Sequence, residues 1–434
     1  MPTRQLPAPR LRAVTREIEA VDELLEYAAP ADPLVWSRRG DTLVGTSAVL
    51  EYEGPPDDAA QWWQRVADAG EVDDPLGIPG TGLIAFGALP FDPASAAQAR
   101  LTVPAVVLGH RGGRTWITRI SPIDQPEQPG PGQPGPETPG RPEVESPVEP
   151  APYGPHWSPT VGPGALTPEG YQAAVRAGLA AIAGGEVSKV VLARDLVGSI
   201  PPGSDLRRLV RALTVAYPDT WVYAVDGLIG ASPETLLTVS GGTVTARVLA
   251  GTIARGVDAD ADTAASVALA TSAKDLDEHQ YAVQSVLTSL RPHTSALVTE
   301  EQPFMLKLPN VWHLATDVEG TLQGGASALD LVHVLHPTAA VAGTPTDAAM
   351  DLIRRLEPFD RGRYAGPVGW INAHGDGEWA IALRCAQFEL GAATDDGGIP
   401  FTAHAGAGIV AGSDPEAEML ETRLKFRPIV DSLA

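Results

Sequence analysis

The sequence predicts an α+β fold in which large antiparallel β-sheets are packed with helices. Two patterns predict it. Short runs of alternating apolar and polar residues, bounded by turn formers, read as strands and outnumber the helical segments. These strands do not alternate one for one with helices, as the crossovers of a doubly wound parallel sheet require. With 434 residues, 44% of them hydrophobic, the chain can bury a large core as one big domain or two smaller ones.

Residues 1–121 read as a strand-rich N-terminal subdomain. TLVGTSAVLEYEG (42–54) and TGLIAFGALPFDP (81–93) are β-like, and only 57–69 has helical spacing. At 122–163 the composition changes to a run containing DQPEQPGPGQPGPETPGRPEVESPVEPAPYGP, which lacks apolar periodicity and predicts an extended, disordered linker. A polyproline ligand for a partner domain is the lesser reading, because no aromatic or basic anchor punctuates the repeats. The remaining region, 164–434, mixes predicted helices (168–182, 205–215, 261–290, 348–356, 415–433) with strands (189–197, 221–225, 236–239, 243–249, 367–372, 378–390).

Bulk properties exclude several classes. A formal net charge of −23 argues against a nucleic-acid surface, which needs clustered Lys and Arg. No run approaches the roughly 20 apolar residues of a membrane span. The N-terminus lacks the apolar block of a signal peptide, so the expected compartment is the cytoplasm. The single cysteine, Cys385, allows no intrachain disulfide framework and no zinc cluster, so any metal is held by oxygen or histidine. On its strand beside Arg384 it is expected to be buried and inert. AGAGIV (405–410) lacks the lysine and hydroxyl of a phosphate-binding loop.

Two predicted helices carry spaced acids. SAKDLDEHQYAVQSVL places Asp275 and Glu278 three apart on one face, and SDPEAEMLETRLKF spaces Glu418, Glu421 and Lys425 by three and four. Paired carboxylates of this kind suit a hard cation such as Mg²⁺. In a chain with 54 Asp and Glu, a solvated acidic surface is the commoner reading of such pairs, and spacing alone does not decide between the two.

Nine blocks decide the matter. VSKVVLARDL (187–196), ASPETLL (231–237), LAGTIARG (249–256), SAKDLDEH (272–279), NVWHLATDVEGTL (310–322), HPTAAVAGTP (336–345), RGRYAGPVGW (361–370), GDGEWAIALRCAQF (375–388) and AGAGIVAGSDPEAEMLET (405–422) follow one another in a fixed order. In that order they resemble the chorismate-utilising enzymes, the family of isochorismate, salicylate, anthranilate and aminodeoxychorismate synthases. The resemblance implies the chorismate-binding fold of anthranilate synthase component I. HPTAAVAGTP looks most like the isochorismate branch: Ala340 stands where aminating members carry threonine. Ala250 stands where members that attack through their own lysine carry it, so the nucleophile comes from outside the protein.

The resemblance further implies roles. Lys189 is the expected general base that activates water for attack at ring carbon 2, a task that calls for a lowered pKa. Glu234 is the expected general acid at the carbon-4 hydroxyl, which calls for a raised one. Glu278 and Glu421 match direct Mg²⁺ ligands, with Asp275 and Glu418 in supporting acidic positions. Tyr364, Arg384 and Lys425, with the backbone N–H groups of Gly406 and Gly408, match the clamp for the enolpyruvyl carboxylate. Thr252, His313 and Ala340 match further pocket positions, although His313 also reads as a core histidine and Thr252 as a turn cap.

The implied activity is isochorismate synthase, an isomerase that feeds siderophore, menaquinone or salicylate biosynthesis. A salicylate synthase, which adds pyruvate elimination, shares every residue named. A non-catalytic chorismate-binding homologue is the reading from another class. Chorismate is the expected small-molecule partner. No nucleic acid, membrane or amidotransferase subunit is expected, and the chain is expected to act as a monomer.

Overall fold

The computed structural model describes residues 9–123, 149–307, 311–394 and 397–433, with the side chains of Thr252, Lys274, Glu278 and Val311 outside the described set. Among them the architecture is α+β, and the strands join into two large antiparallel sheets that branch from one long strand, Ala99–Arg111. The start of that strand pairs with Ile84–Ala88 and its end with Arg114–Pro122, while Asp41–Gly54 runs along its other edge. From Asp41–Gly54 the first sheet continues through Leu34–Arg38, Trp221–Val225, Leu228–Ser232, Cys385–Phe388 and Ile399–Ile409 to Lys189–Ile200. From Ile84–Ala88 the second runs through Pro367–Asn372, Gly377–Ile381, Thr235–Ser240 and Thr243–Ala254 to Val311–Leu322. Hydrogen bonds therefore cross from the N-terminal strands to the C-terminal region in both sheets.

The period of two explains why the first sheet is buried on both faces. Trp221, Tyr223 and Val225 point into the core shared by the two sheets, and the intervening Val222 and Ala224 into a second core outside. The inner core holds Trp36, Trp370 and Trp379. The indole N–H groups of Trp36 and Trp370 donate to the Glu378 carboxylate at 2.9 and 3.0 Å, and Arg111 balances its charge at 2.9 Å.

Eight helices are described: α1 (Pro56–Ala69), α2 (Pro168–Ala183), α3 (Arg207–Ala216), α4 (Ala259–Ala270), α5 (Ala273–Leu290), α6 (Ala328–Leu335), α7 (Thr346–Leu356) and α8 (Pro415–Leu433). α3 and α8 cover the outer face of the first sheet, where Leu209, Leu213, Phe426 and Ile429 meet Val222, Phe388 and Phe401. α5 and α6 pack on the second. None of the described helices is long and apolar enough to cross a membrane.

Three expectations need correction. The single helix expected over 261–290 is two, because Ser272 caps a new start by accepting the Asp275 N–H at 3.3 Å. The strand expected over 378–390 is broken after Ile381, where the chain turns to present Arg384. The linker expected over 122–163 is packed at its described C-terminal end. There Tyr153 lies under the Arg207 guanidinium, Trp157 donates to the Asp205 carbonyl at 3.2 Å, and Thr160–Pro163 pairs with Lys189–Ile200. Residues 124–148 lie outside the described residues. Cys385 is buried, and burial pushes its thiol up to about 12, so no reactive thiolate forms.

Candidate active site

One cavity of about 400 Å³ gathers twelve of the fourteen residues singled out above. Lys189 opens the strand Lys189–Ile200, and Glu234 follows the end of Leu228–Ser232. Ala250 and Gly251 form a β-bulge in Thr243–Ala254, where Gly251 adopts a φ of 79° and an added Cβ would meet the Asp275 Cβ at 3.3 Å. Asp275 lies in the first turn of α5, His313 on Val311–Leu322, and Ala340 in the turn before α7. Tyr364 and Arg384 come from loops flanking Pro367–Asn372 and Gly377–Ile381, Gly406 and Gly408 from Ile399–Ile409, and Glu418, Glu421 and Lys425 from α8. Thr252 pairs through its backbone with His313, and Glu278 lies on α5, but both side chains are outside the described residues.

The edge of the strand Ile399–Ile409 is directed at the cavity for a backbone reason. Gly406 faces Ala193 and Gly408 faces Val191 in the antiparallel register, yet the Ala193 N–H goes to Glu357 and the Val191 N–H to the Ala342 carbonyl. Gly406 and Gly408 thus sit in non-hydrogen-bonded pairs, with their own N–H and C=O groups pointing away from that neighbour. The Gly406 carbonyl accepts from Lys425 Nζ at 2.8 Å, which fixes the direction of the N–H groups on the same side.

Electrostatics separate the titratable groups. Burial pushes the Glu234 carboxyl up to about 7 against the pull of Lys189, Lys425 and Arg384. Burial acts the same way on Glu421, but the Lys425 ammonium at 2.6 Å, with Arg384 nearby, outweighs it and holds this carboxyl below the ordinary range. Burial, with Arg384 and Lys425, pushes His313 down to about 3, so its ring is neutral near pH 7. The Tyr364 hydroxyl is raised by burial and stays a protonated donor.

Arg361 and His404 were not singled out from sequence. Arg361 lines the cavity and is paired with Glu357 at 2.6 Å, both side chains being almost fully buried. Its guanidinium also donates to the Val341 and Val191 carbonyls at 3.1 and 2.8 Å. The pair thereby ties the strand of Lys189 to the turn of Ala340. The spacing Glu357-x3-Arg361 was the available signal. His404 stacks on Tyr364 with ring centroids 5.0 Å apart, and burial pushes it down to about 4. It sits two residues before Gly406, on the same strand face. His279 is structural. Its Nδ1 lies 3.2 Å from the Ala250 carbonyl, which requires an N–H there, and its Nε2 is hydrogen-bonded to the Thr316 hydroxyl at 2.7 Å, so α5 is fastened to the bulge.

Arg384 and Ala365 both line the cavity with left-handed φ values of 52° and 61°. Such a conformation costs a non-glycine residue roughly 1–2 kcal/mol. Local hydrogen bonds hold them, from the Ala231 N–H to the Arg384 carbonyl at 3.1 Å and from the Ala365 N–H to the Ala382 carbonyl at 2.8 Å.

The donor set fits a hard cation. Four cations line the cavity, Lys189, Arg361, Arg384 and Lys425, against four carboxylates, Asp275, Asp414, Glu418 and Glu421, while Glu234 is poised near neutrality. A dianionic ligand therefore meets little net attraction unless a divalent ion joins the carboxylates. Among the described residues no three ligating groups converge on one point. Mg²⁺ does not need them, since it commonly takes one or two carboxylates and completes its shell with water and substrate oxygens.

The chain matches the model of a family described as chorismate binding enzyme over residues 3–434. Isochorismate synthase DhbC of Bacillus subtilis is 39% identical over 278 residues, which cover 61% of this chain and 68% of that protein. The crystal structure of a putative 2,3-dihydroxybenzoate-specific isochorismate synthase, DhbC from Bacillus anthracis, aligns with a TM-score of 0.72 at 29% identity, covering 94% of this chain and 98% of that one. Anthranilate synthase component I from Streptococcus pneumoniae, with a TM-score of 0.67 at 21% identity over 95% of this chain and 94% of that one, shares the fold. With its motifs drawn into one cavity and residues 3–434 matched, the chain belongs to the chorismate-binding enzyme family.

Proposed function

We propose that the chain is an isochorismate synthase that interconverts chorismate and isochorismate, acting without an amidotransferase subunit. The observation that carries this reading is the pairing, in one cavity, of Lys189 with a Glu234 whose carboxyl is held at about 7. A carboxyl at that value is both acid and carboxylate near neutrality, as a reversible proton transfer requires. Ala250 stands in the cavity where relatives that attack through their own lysine carry it, so the attacking group is a small molecule from solvent.

In the forward direction Lys189 takes a proton from water as its oxygen bonds to ring carbon 2. The ring double bonds shift, and Glu234 protonates the carbon-4 hydroxyl, which leaves as water. Arg384, Lys425 and the N–H groups of Gly406 and Gly408 hold the enolpyruvyl carboxylate, and Tyr364 adds a neutral donor. Glu278 and Glu421, with Asp275 and Glu418 through water, would hold Mg²⁺. That ion supplies positive charge for the ring carboxylate.

Incubation with chorismate and Mg²⁺ is expected to give isochorismate, with no pyruvate released and no change of product when ammonium is added. EDTA is expected to abolish turnover, and Mg²⁺ to restore it. Anthranilate on adding ammonium, or pyruvate and salicylate without a second enzyme, would refute this reading.

Gly408 supplies a further check. A Cβ there would stand 3.0 Å from Lys189 Cε, inside ordinary contact distance. Gly408→Ala is expected to displace the ammonium and lower kcat on the order of 10-fold or more, with the melting temperature little changed. Wild-type kcat in this variant would mean that the Lys189 position is not critical.

A further inference from the structure

The proposed reaction leaves Glu234 short of one proton after each forward turnover, and a second space in the protein is lined by the same residue. A narrow cavity of about 30 Å³ shares Glu234, Leu249 and Ala340 with the main one and runs between α5 and the strand Thr243–Ala254. A buried water needs roughly 10–15 Å³, so the space takes one or two. Its wall includes Thr338, whose hydroxyl is buried without a hydrogen-bond partner among the described residues. The carbonyl of the same residue is already engaged by the N–H groups of Val341 and Ala342. An orphan hydroxyl on the wall of a space large enough for water is the usual mark of an ordered one. Beyond Thr338 the lining contains Ser289 and Ser285, four residues apart on one face of α5, and Ser285 is exposed. Hydroxyl groups thus mark a route from the protein surface to Glu234 that does not pass through the main cavity.

We infer that water held by Thr338 relays protons between Glu234 and the solvent at the face of α5, by way of Ser289 and Ser285. This rests on the reading of Glu234 as the general acid. In each forward turnover the water donates a proton to the Glu234 carboxylate and takes one from the solvent end, so one proton enters from bulk. The matching proton leaves Lys189 through the main cavity, and no other bond is made or broken. Thr338 is a positioning residue: it orders the water and does not touch the substrate.

The test compares wild type, Thr338→Val, Thr338→Ser and Ser289→Leu by kcat, KM and the solvent deuterium isotope effect on kcat. Thr338→Val keeps the shape and removes the hydroxyl. Its kcat is expected to fall about 5- to 10-fold, with KM within about 2-fold and a larger isotope effect. Thr338→Ser is expected to restore both values. Ser289→Leu, which fills part of the space from α5, is expected to repeat the valine pattern and serves if Thr338→Val does not fold. Wild-type kcat and isotope effect in Thr338→Val overturn the relay, as does equal impairment of the valine and serine variants, which would mark a packing role. A wild-type enzyme that makes no isochorismate defeats instead the functional reading on which the relay rests.

Discussion

Lys189→Ala is expected to lower kcat by roughly 10²–10⁴-fold, the usual contribution of a positioned general base, while chorismate still binds. The strand register at this position is set by backbone pairing with Thr344, so truncating the side chain leaves the fold intact. Carboxylate recognition is also preserved, because Arg384 and the Lys425 ammonium, anchored on the Gly406 carbonyl at 2.8 Å, do not depend on Lys189. Removing the Lys189 charge also deletes the largest influence opposing the upward shift of Glu234, so the acid is left protonated with no base to match it. Steady-state assays and calorimetric titration with chorismate separate the two effects. A small primary amine added to the medium should recover part of the rate, whereas turnover that survives intact in the variant would remove Lys189 from the chemistry.

Glu234→Gln is expected to abolish the proton delivery and at the same time stabilise the protein above neutral pH. The sign follows from linkage. The folded-state carboxyl sits at about 7 against an ordinary 4.5, so the native protein binds more protons than the unfolded chain between those values. Its stability therefore falls as pH rises from the lower to the higher. Above pH ~7 the full cost is present, about 3 kcal/mol at 1.36 kcal/mol per pH unit. Glutamine carries no such charge. Melting curves at pH ~5 and ~8 should therefore show a gap in favour of the variant that opens only at the higher pH, with kcat reduced roughly 10²–10⁴-fold at both. A variant less stable than wild type at pH ~8 would show that the carboxylate is well solvated or paired there. A stabilised, inactive variant is the signature of a site that holds a group against its preference for the sake of function.

The site was more legible in the sequence than the details of the fold, for reasons that particular residues make plain. Lys189, Glu234, Arg384 and Glu421 each stand in a motif at the end of a strand or on a helix, and the topology brings those ends to one cavity. The strand Ile399–Ile409 was hidden by the residues that make it useful: glycines at 406 and 408 lower β-propensity where the backbone must face a ligand. The break between α4 and α5 was visible in principle as Ser272 three residues before Asp275, and the apolar periodicity running across it masked the cap. In the Pro-rich segment, proline content outweighed two aromatic anchors, Tyr153 and Trp157, that dock its end on α3. Arg361 and Thr338 sit inside recognised motifs, but a buried ion pair and an orphan hydroxyl are properties of three-dimensional surroundings that no local pattern reports.

Turnover of chorismate in water enriched in oxygen-18, followed by mass spectrometry of the isolated isochorismate, bears most directly on a cavity in which an amine activates external water while a carboxyl releases the old hydroxyl. The product should be about two mass units heavier, with the label at ring carbon 2, after a single pass through the enzyme. Isochorismate carrying no label would mean that the hydroxyl migrates within the substrate, and Lys189 and Glu234 would then lose the parts assigned to them.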